Sequence, residues 1–311
     1  MAPHRLGIDI GGSSAKVSLL DAASHVLSNT VHDLPDVADD PVANREARLV
    51  LVDTAIHRVL DERGADLTVA IASPGIVDAA HRRVVALPGK LAGLEGIDWS
   101  EALRQRATRP SVLPRISVLN DAHAAVLGEA RLGAGRGSRD MAMLTLGTGV
   151  GGGVVLGGEL FEGPNRRAGH LGHISLDPYG AASVFPTPGS LEWHVGAAYV
   201  HARTEGRYTS MESLVEAVRA GEASATAEWR RLVRALAVGI ASVVHAFDPE
   251  RVILGGGLVA VGALLFEPLA RELDEVEWRP NGLTVPVVPA ELGRFSGSIG
   301  AAVFGRERSM S

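Results

Sequence analysis

The chain has 311 residues, 46% of them apolar, which is enough to fill two cores and fits two domains by length. Its formal net charge is −6, so no basic stripe points to nucleic acid. It contains no cysteine, which excludes disulfides and thiolate metal sites.

The N-terminus leads directly into an apolar run at 6–10, with no apolar signal core ahead of it. Further runs at 17–20 and 26–31, separated by glycine or polar turns, predict a strand meander. Residues 41–63 predict a helix with Leu49, Val52, Ile56, Val59 and Leu60 on one stripe. A strand at 67–72 closes on Ser73, Pro74 and Gly75, and another at 116–119 ends at Asn120 and Asp121, before a helix at 122–131. The pattern then restarts with a strand at 141–146, a glycine turn at 147–153 and a strand at 154–156. The longest helix candidate is 226–247, where Trp229, Leu232, Val233, Leu236, Ile240, Val243 and Phe247 recur every three or four residues. Asp248 and Pro249 stop it. The most apolar long stretch, 232–247, is broken by Arg234, Gly239, Ser242 and His245 and is too short to span a bilayer, so a cytoplasmic protein is expected. A strand at 251–254 runs into Gly255, Gly256 and Gly257, with a helix after Val261. Strand, glycine turn and strand thus occur twice, about 135 residues apart, which suggests two similar α/β halves facing each other across a cleft.

Three glycine turns stand at strand ends. In the first, Asp9, Ile10, Gly11, Gly12 and Ser13 lie between two strands. Glycines without Cβ let backbone N–H groups approach phosphate oxygens. Asp9 suits Mg²⁺, directly or through a bound water. Lys16 is within reach of a phosphate and is one of only two lysines, the other being Lys90. An ordinary glycine hairpin explains this turn equally well. The second turn formally matches G-x-G-x-x-G at Gly147, Gly149 and Gly152, but a strand follows instead of a helix, which excludes the dinucleotide fingerprint. Neither lysine sits in a G-x-x-x-x-G-K-[ST] loop. What remains is a second phosphate-facing hairpin with Thr148 as a hydroxyl donor. Gly255, Gly256 and Gly257 suit a flat ring or a phosphate near a helix N-terminus, or simply close strand–helix packing.

Phosphoryl transfer to an alcohol gains from a carboxylate that accepts the hydroxyl proton, and Asp121 at a strand end is placed for this. The competing reading makes Asp121 the N-cap of the helix that starts at Ala122. His170 and His173 lie three residues apart among glycines, and Glu192 follows a proline-rich loop at 177–190. His and Glu together can grip vicinal hydroxyls, although each histidine alone reads as a packed core residue.

Taken in order, residues 7–16, 73–78, 119–122, 147–153, 255–257 and 297–302 resemble the motifs of the ROK family (repressors, open reading frames, sugar kinases) along nearly the whole chain. The resemblance implies an α/β, actin-like ATPase (ribonuclease H-like) fold, with two similar α/β domains around a cleft. The smaller domain would comprise 1–119 plus 298–311 and the larger one 120–297. It implies an ATP-dependent kinase moving the γ-phosphate to a hexose hydroxyl, glucose 6-OH first, with N-acylhexosamine (N-acetylmannosamine-like) or fructose next. The retained triple-glycine adenosine turn argues for ATP over polyphosphate. A non-catalytic sugar-binding regulator is the reading of another class; Asp9, Asp121, Thr148 and the glycines, retained together, argue against it. Under the resemblance Asp121 is the base, and Gly75, Asn120, His170, His173 and Glu192 bind sugar. Asp9, Gly11, Gly12, Ser13, Lys16, Thr148, Gly149, Gly255, Gly256 and Gly257 bind the nucleotide, with Asp9 serving Mg²⁺. The partner is a small sugar, with no nucleic acid and no membrane, and a homodimer is expected.

Two departures stand out. The family's zinc cysteines are absent and the proline-rich loop replaces them, so no structural zinc is expected; proline lowers the entropy of the unfolded loop. The glutamate of the family's E-x-G-H motif is His170, as in N-acylmannosamine kinases. Only eight residues precede Asp9, so the winged helix of the repressor branch is not expected.

Overall fold

The computed structural model describes residues 4–35, 40–64, 66–87, 91–106, 113, 114 and 116–310; Lys90 and the first three residues lie outside them. Two compact units emerge. The first is Met1–Gly137 with Leu160–Ala168 and Ala290–Ser311, and the second is Ser138–Glu159 with Gly169–Pro289.

The first unit carries β1 (His4–Ile10), β2 (Ser14–Leu20), β3 (Val26–Asp33), α1 (Pro41–Arg63), β4 (Leu67–Ser73), β5 (Ile76–Val77), β6 (Val84–Ala86), α2 (Trp99–Arg106), β7 (Ile116–Asn120) and α3 (Asp121–Leu132). The second carries β8 (Met141–Leu146), β9 (Val150–Leu156), β10 (Glu159–Leu160), α4 (Leu191–Val195), α5 (Val200–Arg203), α6 (Met211–Arg219), α7 (Ala223–Phe247), β11 (Arg251–Gly255), α8 (Ala263–Val276) and β12 (Val287–Pro289). Helix α9 (Ser296–Met310) then belongs to the first unit.

The sheets are ordered β3-β2-β1-β4-β7 and β10-β9-β8-β11-β12. In each, the central strand pairs antiparallel with the next strand through a glycine turn and parallel with a later one. The repeat that is faint in the side chains is therefore a repeat of topology. Leu6, Ile8 and Ile10 of β1 are buried, as a central strand requires.

Helix α1 starts where the sequence predicts. Asp40 caps it by accepting from the Val42 and Ala43 amides, both at 3.0 Å, and Pro41 opens the first turn. In the second unit, Trp229, Leu232, Val233, Leu236, Ile240 and Val243 of α7 are buried, and the Trp229 indole donates to the Leu264 carbonyl at 3.1 Å. Helix α9 lies against β1, β4 and α3. A side chain at Gly300 would overlap the Ala124 carbonyl of α3, so the two helices meet backbone to backbone. This contact keeps α3 in the first unit, which therefore runs to Gly137, whereas the sequence places the boundary after 119.

Other differences have local causes. Strand β9 begins at Val150, four residues earlier than the glycines suggest, and Gly151, Gly152 and Gly153 are laddered to Thr145, Leu144 and Met143. A Cβ on Gly152 would lie 2.8 Å from the Met143 carbonyl and 3.0 Å from Leu171, so this glycine serves packing inside a strand. Helix α8 begins at Ala263, in keeping with the helix expected after Val261, but the 3₁₀ segment Gly257–Val261 comes first, so no α-helix N-terminus stands at the triple-glycine turn. Helices α2 and α6 have no counterpart in the sequence reading. Helix α6 is set by a capping pair in which Ser210 and Ser213 bond reciprocally.

Candidate functional site

In the first unit the candidate residues gather at the C-terminal ends of the parallel strands β1, β4 and β7, the end where such sheets bind ligands. Asp9 lies beside Ala72, and Ser73 beside Asn120. Lys16 is directly opposite Asp9 in the β1–β2 ladder, so both side chains stand on one face. The Lys16 Nζ comes 3.7 Å from where a Gly11 Cβ would be. Asp9 keeps part of its surface in solvent, yet its pKa is raised to about 7, first by burial and then by the Asp121 carboxylate, with Lys16 acting in the opposite sense. The backbone of Gly297, at the start of α9, closes on the same carboxylate; a Cβ there would lie 2.9 Å from Asp9 Oδ2.

Asn120 and Asp121 divide their work. Asn120, and not Asp121, is the N-cap of α3: its Oδ1 accepts from Ala122 N at 2.9 Å and His123 N at 3.1 Å. Its Nδ2 donates to the Gly75 carbonyl at 3.0 Å, which leaves one amide hydrogen for another acceptor. Gly75 has φ +101° and no room for a side chain beneath Ala86 and Val84, so that turn needs glycine. Asp121 is the first helical residue, half-buried, with Oδ1 accepting from Ala122 N at 2.9 Å. The cap belongs to its neighbour, so the N-cap reading of Asp121 falls.

A residue that the sequence reading passes over supports the first turn. Arg48 of α1 is buried, and its guanidinium donates to the Gly12 carbonyl at 2.6 Å and the Gly11 carbonyl at 3.3 Å. Its signal in the sequence is positional: Asn44, Arg48, Val52 and Ile56 form one row by fours, all buried, so two polar side chains continue an apolar stripe.

In the second unit, the β8–β9 turn at 147–149 closes with Gly147 N donating to Gly149 O at 3.0 Å. Thr148 is exposed. Glu192 is buried beside this turn: its Oε2 accepts from Val150 N at 3.0 Å, and a side chain at Gly149 would overlap the carboxylate. The Tyr199 hydroxyl donates to Glu192 Oε1 at 3.4 Å, a contact the sequence does not announce. Glu192 thus braces the glycine turn as well as standing near His173, whose pKa is lowered by burial and raised in part by that carboxylate. The imidazole is therefore neutral at pH 7 and able to accept as well as donate. His173 Nδ1 is buried with no hydrogen-bond partner among the described residues. His170 and His173 stack with ring centroids 6.1 Å apart, and Phe185 abuts His173 edge-on at 4.3 Å. His194 sits in the last turn of α4, and Ser190 is the cap.

The proline-rich loop is held by backbone bonds. Leu176 N donates to Gly189 O at 2.8 Å, Gly189 N to Ala181 O at 2.8 Å and Leu191 N to Ile174 O at 2.8 Å. The Val184 amide donates to the Tyr199 hydroxyl at 2.9 Å, tying the loop to the residue that contacts Glu192.

Three glycines, one in each turn, share a property. Gly12, Gly147 and Gly257 have no positive φ, and a Cβ on any of them would meet nothing within 4 Å. Gly256 is different: φ is +88° and a side chain would strike the Leu146 carbonyl. The chain's own packing explains Gly256 and explains none of the other three.

Among the described residues no group of three or more His, Asp or Glu side chains stands ready to hold a metal alone. Asp9 with its raised pKa, beside Asp121, fits a cation that arrives with phosphate oxygens and water, the usual way Mg²⁺ is held. No helix among the described residues is long and apolar enough to cross a membrane.

The ROK family model matches residues 5–308. The glucokinase of Thermotoga maritima is 31% identical, covering 97% of each chain. The N-acetylmannosamine kinase of Escherichia coli (strain SE11) is 32% identical, covering 96% of this chain and 97% of that one. A ROK family glucokinase from Streptomyces griseus, solved in complex with glucose and AMPPNP, superposes with a TM-score of 0.77 at 28% identity over 98% of this chain and 99% of the other.

Proposed function

The chain belongs to the ROK family and has its two-domain, actin-like ATPase fold, and from that premise we propose how it works as an ATP-dependent sugar kinase. The acceptor is a hexose hydroxyl, with glucose 6-OH first. The observation that carries the reading is the set of three turns, each with a glycine that nothing in the chain's own packing requires. Space kept open at a backbone turn suits the close approach of phosphate oxygens or a flat base.

Asp121 accepts the proton of the attacking hydroxyl as the sugar oxygen bonds to the γ-phosphorus and ADP departs. The turn at 11–13, with Lys16, holds phosphate oxygens, as does the turn at 147–149 with the Thr148 hydroxyl. Gly255, Gly256 and Gly257 take the adenosine. Asp9 would hold Mg²⁺, directly or through water, and the ion, when bound, would neutralise charge on the transferring phosphate. His173, with its buried Nδ1, and His170 bind sugar hydroxyls, and Glu192 accepts from one while bracing the second turn. Asn120 contributes its remaining amide hydrogen and positions the turn at Gly75. The division of the motifs into 1–119 with 298–311 and 120–297 is kept as a functional one. Cytoplasmic location, where ATP is abundant, and a homodimer complete the proposal.

A second reading rests on His170. An imidazole in place of the family's glutamate replaces a pure acceptor by a group that can also donate, which suits an N-acyl carbonyl; the N-acetylmannosamine kinase relative supports it. A coupled assay with ATP and Mg²⁺ across glucose, fructose, mannose, N-acetylglucosamine and N-acetylmannosamine tests both. Turnover of glucose above the rest supports the first reading, preference for N-acetylmannosamine the second, and no turnover of any sugar refutes both.

A further inference from the structure

We propose that Arg48 is a positioning residue for the nucleotide phosphates: by holding two carbonyls of the 11–13 turn inward, it keeps the amides of Gly12 and Ser13 facing outward as phosphate donors. The inference rests on reading this turn as a phosphate cradle.

The bonding of the turn is one-sided. Arg48 Nη2 donates to Gly12 O at 2.6 Å and Gly11 O at 3.3 Å, and Nη1 to Asn44 O at 3.1 Å on its own helix. Ser13 O accepts from Leu34 N at 2.8 Å, and Ser14 O from Gly11 N at 2.9 Å. The turn's carbonyls are therefore all engaged. The Gly12 and Ser13 amides have no acceptor among the described residues. These amides belong to the same two peptide units whose carbonyls Arg48 binds. A trans peptide is planar, with C=O and N–H pointing opposite ways. Drawing the Gly11 carbonyl inward turns the Gly12 N–H outward, and drawing in the Gly12 carbonyl does the same for Ser13 N–H. Successive outward amides form an anion-binding concavity.

Packing alone does not explain the residue. Arg48 is 1% exposed, and its Nε is buried with no acceptor among the described residues, so an apolar side chain of similar length would fill the space at lower cost. The fork matters: Nη2 takes both turn carbonyls while Nη1 takes the Asn44 carbonyl of the helix, in one fixed plane, whereas an ammonium is a point charge. Asn44 secures the base of the arrangement by donating to the Ala92 carbonyl at 2.5 Å.

The test compares wild type, Arg48→Met and Arg48→Lys. Calorimetry measures binding of magnesium pyrophosphate, of magnesium AMPPNP and of the preferred sugar; kinetics and melting curves accompany it. In Arg48→Met the pyrophosphate and AMPPNP Kd and the KM for ATP rise by about tenfold or more, the scale of one charge-assisted hydrogen bond. The sugar Kd stays within about twofold, and Arg48→Lys recovers part of the loss. A folded Arg48→Met with unchanged pyrophosphate and AMPPNP binding overturns the proposal, as does equal weakening of sugar and nucleotide. If Arg48→Met does not fold, Arg48→Lys decides: selective loss of nucleotide binding supports the proposal, and no loss or an equal loss overturns it. Wild type that binds neither pyrophosphate nor AMPPNP refutes the phosphate cradle and the role of Arg48 with it; wild type that binds while the variants are indifferent refutes Arg48 alone.

Discussion

Gly12 and Gly256 are both turn glycines, yet they answer to different constraints. Gly256 has a left-handed φ and lies against a carbonyl, so any side chain there is costly whether or not a ligand binds. Gly12 has neither feature. Gly12→Ala should therefore leave stability unchanged or raise it by up to ~1 kcal/mol, through lower entropy of the unfolded chain. It should also raise the KM for ATP several-fold, because the methyl group enters space kept for phosphate. Melting temperature and KM measured on one preparation check this, and a wild-type KM would remove the turn from the nucleotide site. Asp121 admits a comparably clean substitution. Asn120 caps α3, and an asparagine at 121 can still accept from Ala122 N. Asp121→Asn should melt no lower than wild type and keep its sugar affinity while turnover falls ~10²-fold or more. Turnover near wild type in that variant would exclude Asp121 as the base.

At the scale of elements, the sequence shows what periodicity and caps encode and misses what tertiary contact decides. Helices α1 and α7 are legible because each shows an apolar stripe, and at α7 Asp248 and Pro249 add a stop signal. The start of β9 is not, since glycines at 151–153 read as a turn, and the close approach of Met143 and Leu171 to Gly152 shows only in the fold. Arg48 is illegible for a related reason: one arginine among the four of α1 reads as solvent-facing until its row by fours is traced. The division of duty between Asn120 and Asp121 likewise needs the backbone position of the cap. The loop at 177–190 lends itself to a direct test. Bonds from Leu176, Gly189 and Leu191 fold it onto itself, and the Tyr199 hydroxyl joins it to Glu192. With no cysteine in the chain, its geometry rests on backbone and proline. Overnight EDTA should leave the melting temperature unchanged, and elemental analysis should find no stoichiometric zinc. One zinc per chain together with a lower melting temperature after chelation would assign the histidines to metal instead of sugar.

For the whole molecule, the Asp9–Asp121 pair makes stability depend on pH in an unusual sense. A salt-bridged carboxylate stabilises a fold when ionised. Asp9, raised from 3.8 to about 7 by burial and by Asp121, does the opposite. Between those pH values the folded chain binds the proton more tightly than the unfolded chain, so this group's contribution falls as pH rises from 4 to 7 and is constant above. The loss is on the order of 1–3 kcal/mol, because Asp9 keeps some contact with water. Asp9→Asn mimics the protonated acid at every pH. Without ligand, the variant and wild type should melt together near pH 4.5, and the variant should be the more stable at pH 8. Adding magnesium and AMPPNP at pH 8 should reverse that order, since the cation turns the repulsion between the carboxylates into attraction for wild type only. The difference between the two profiles is the readout, because every other titrating group is common to both. Parallel profiles from pH 4.5 to 8 would show that Asp9 ionises normally, and the strain that this site holds for its cation would then have to lie elsewhere.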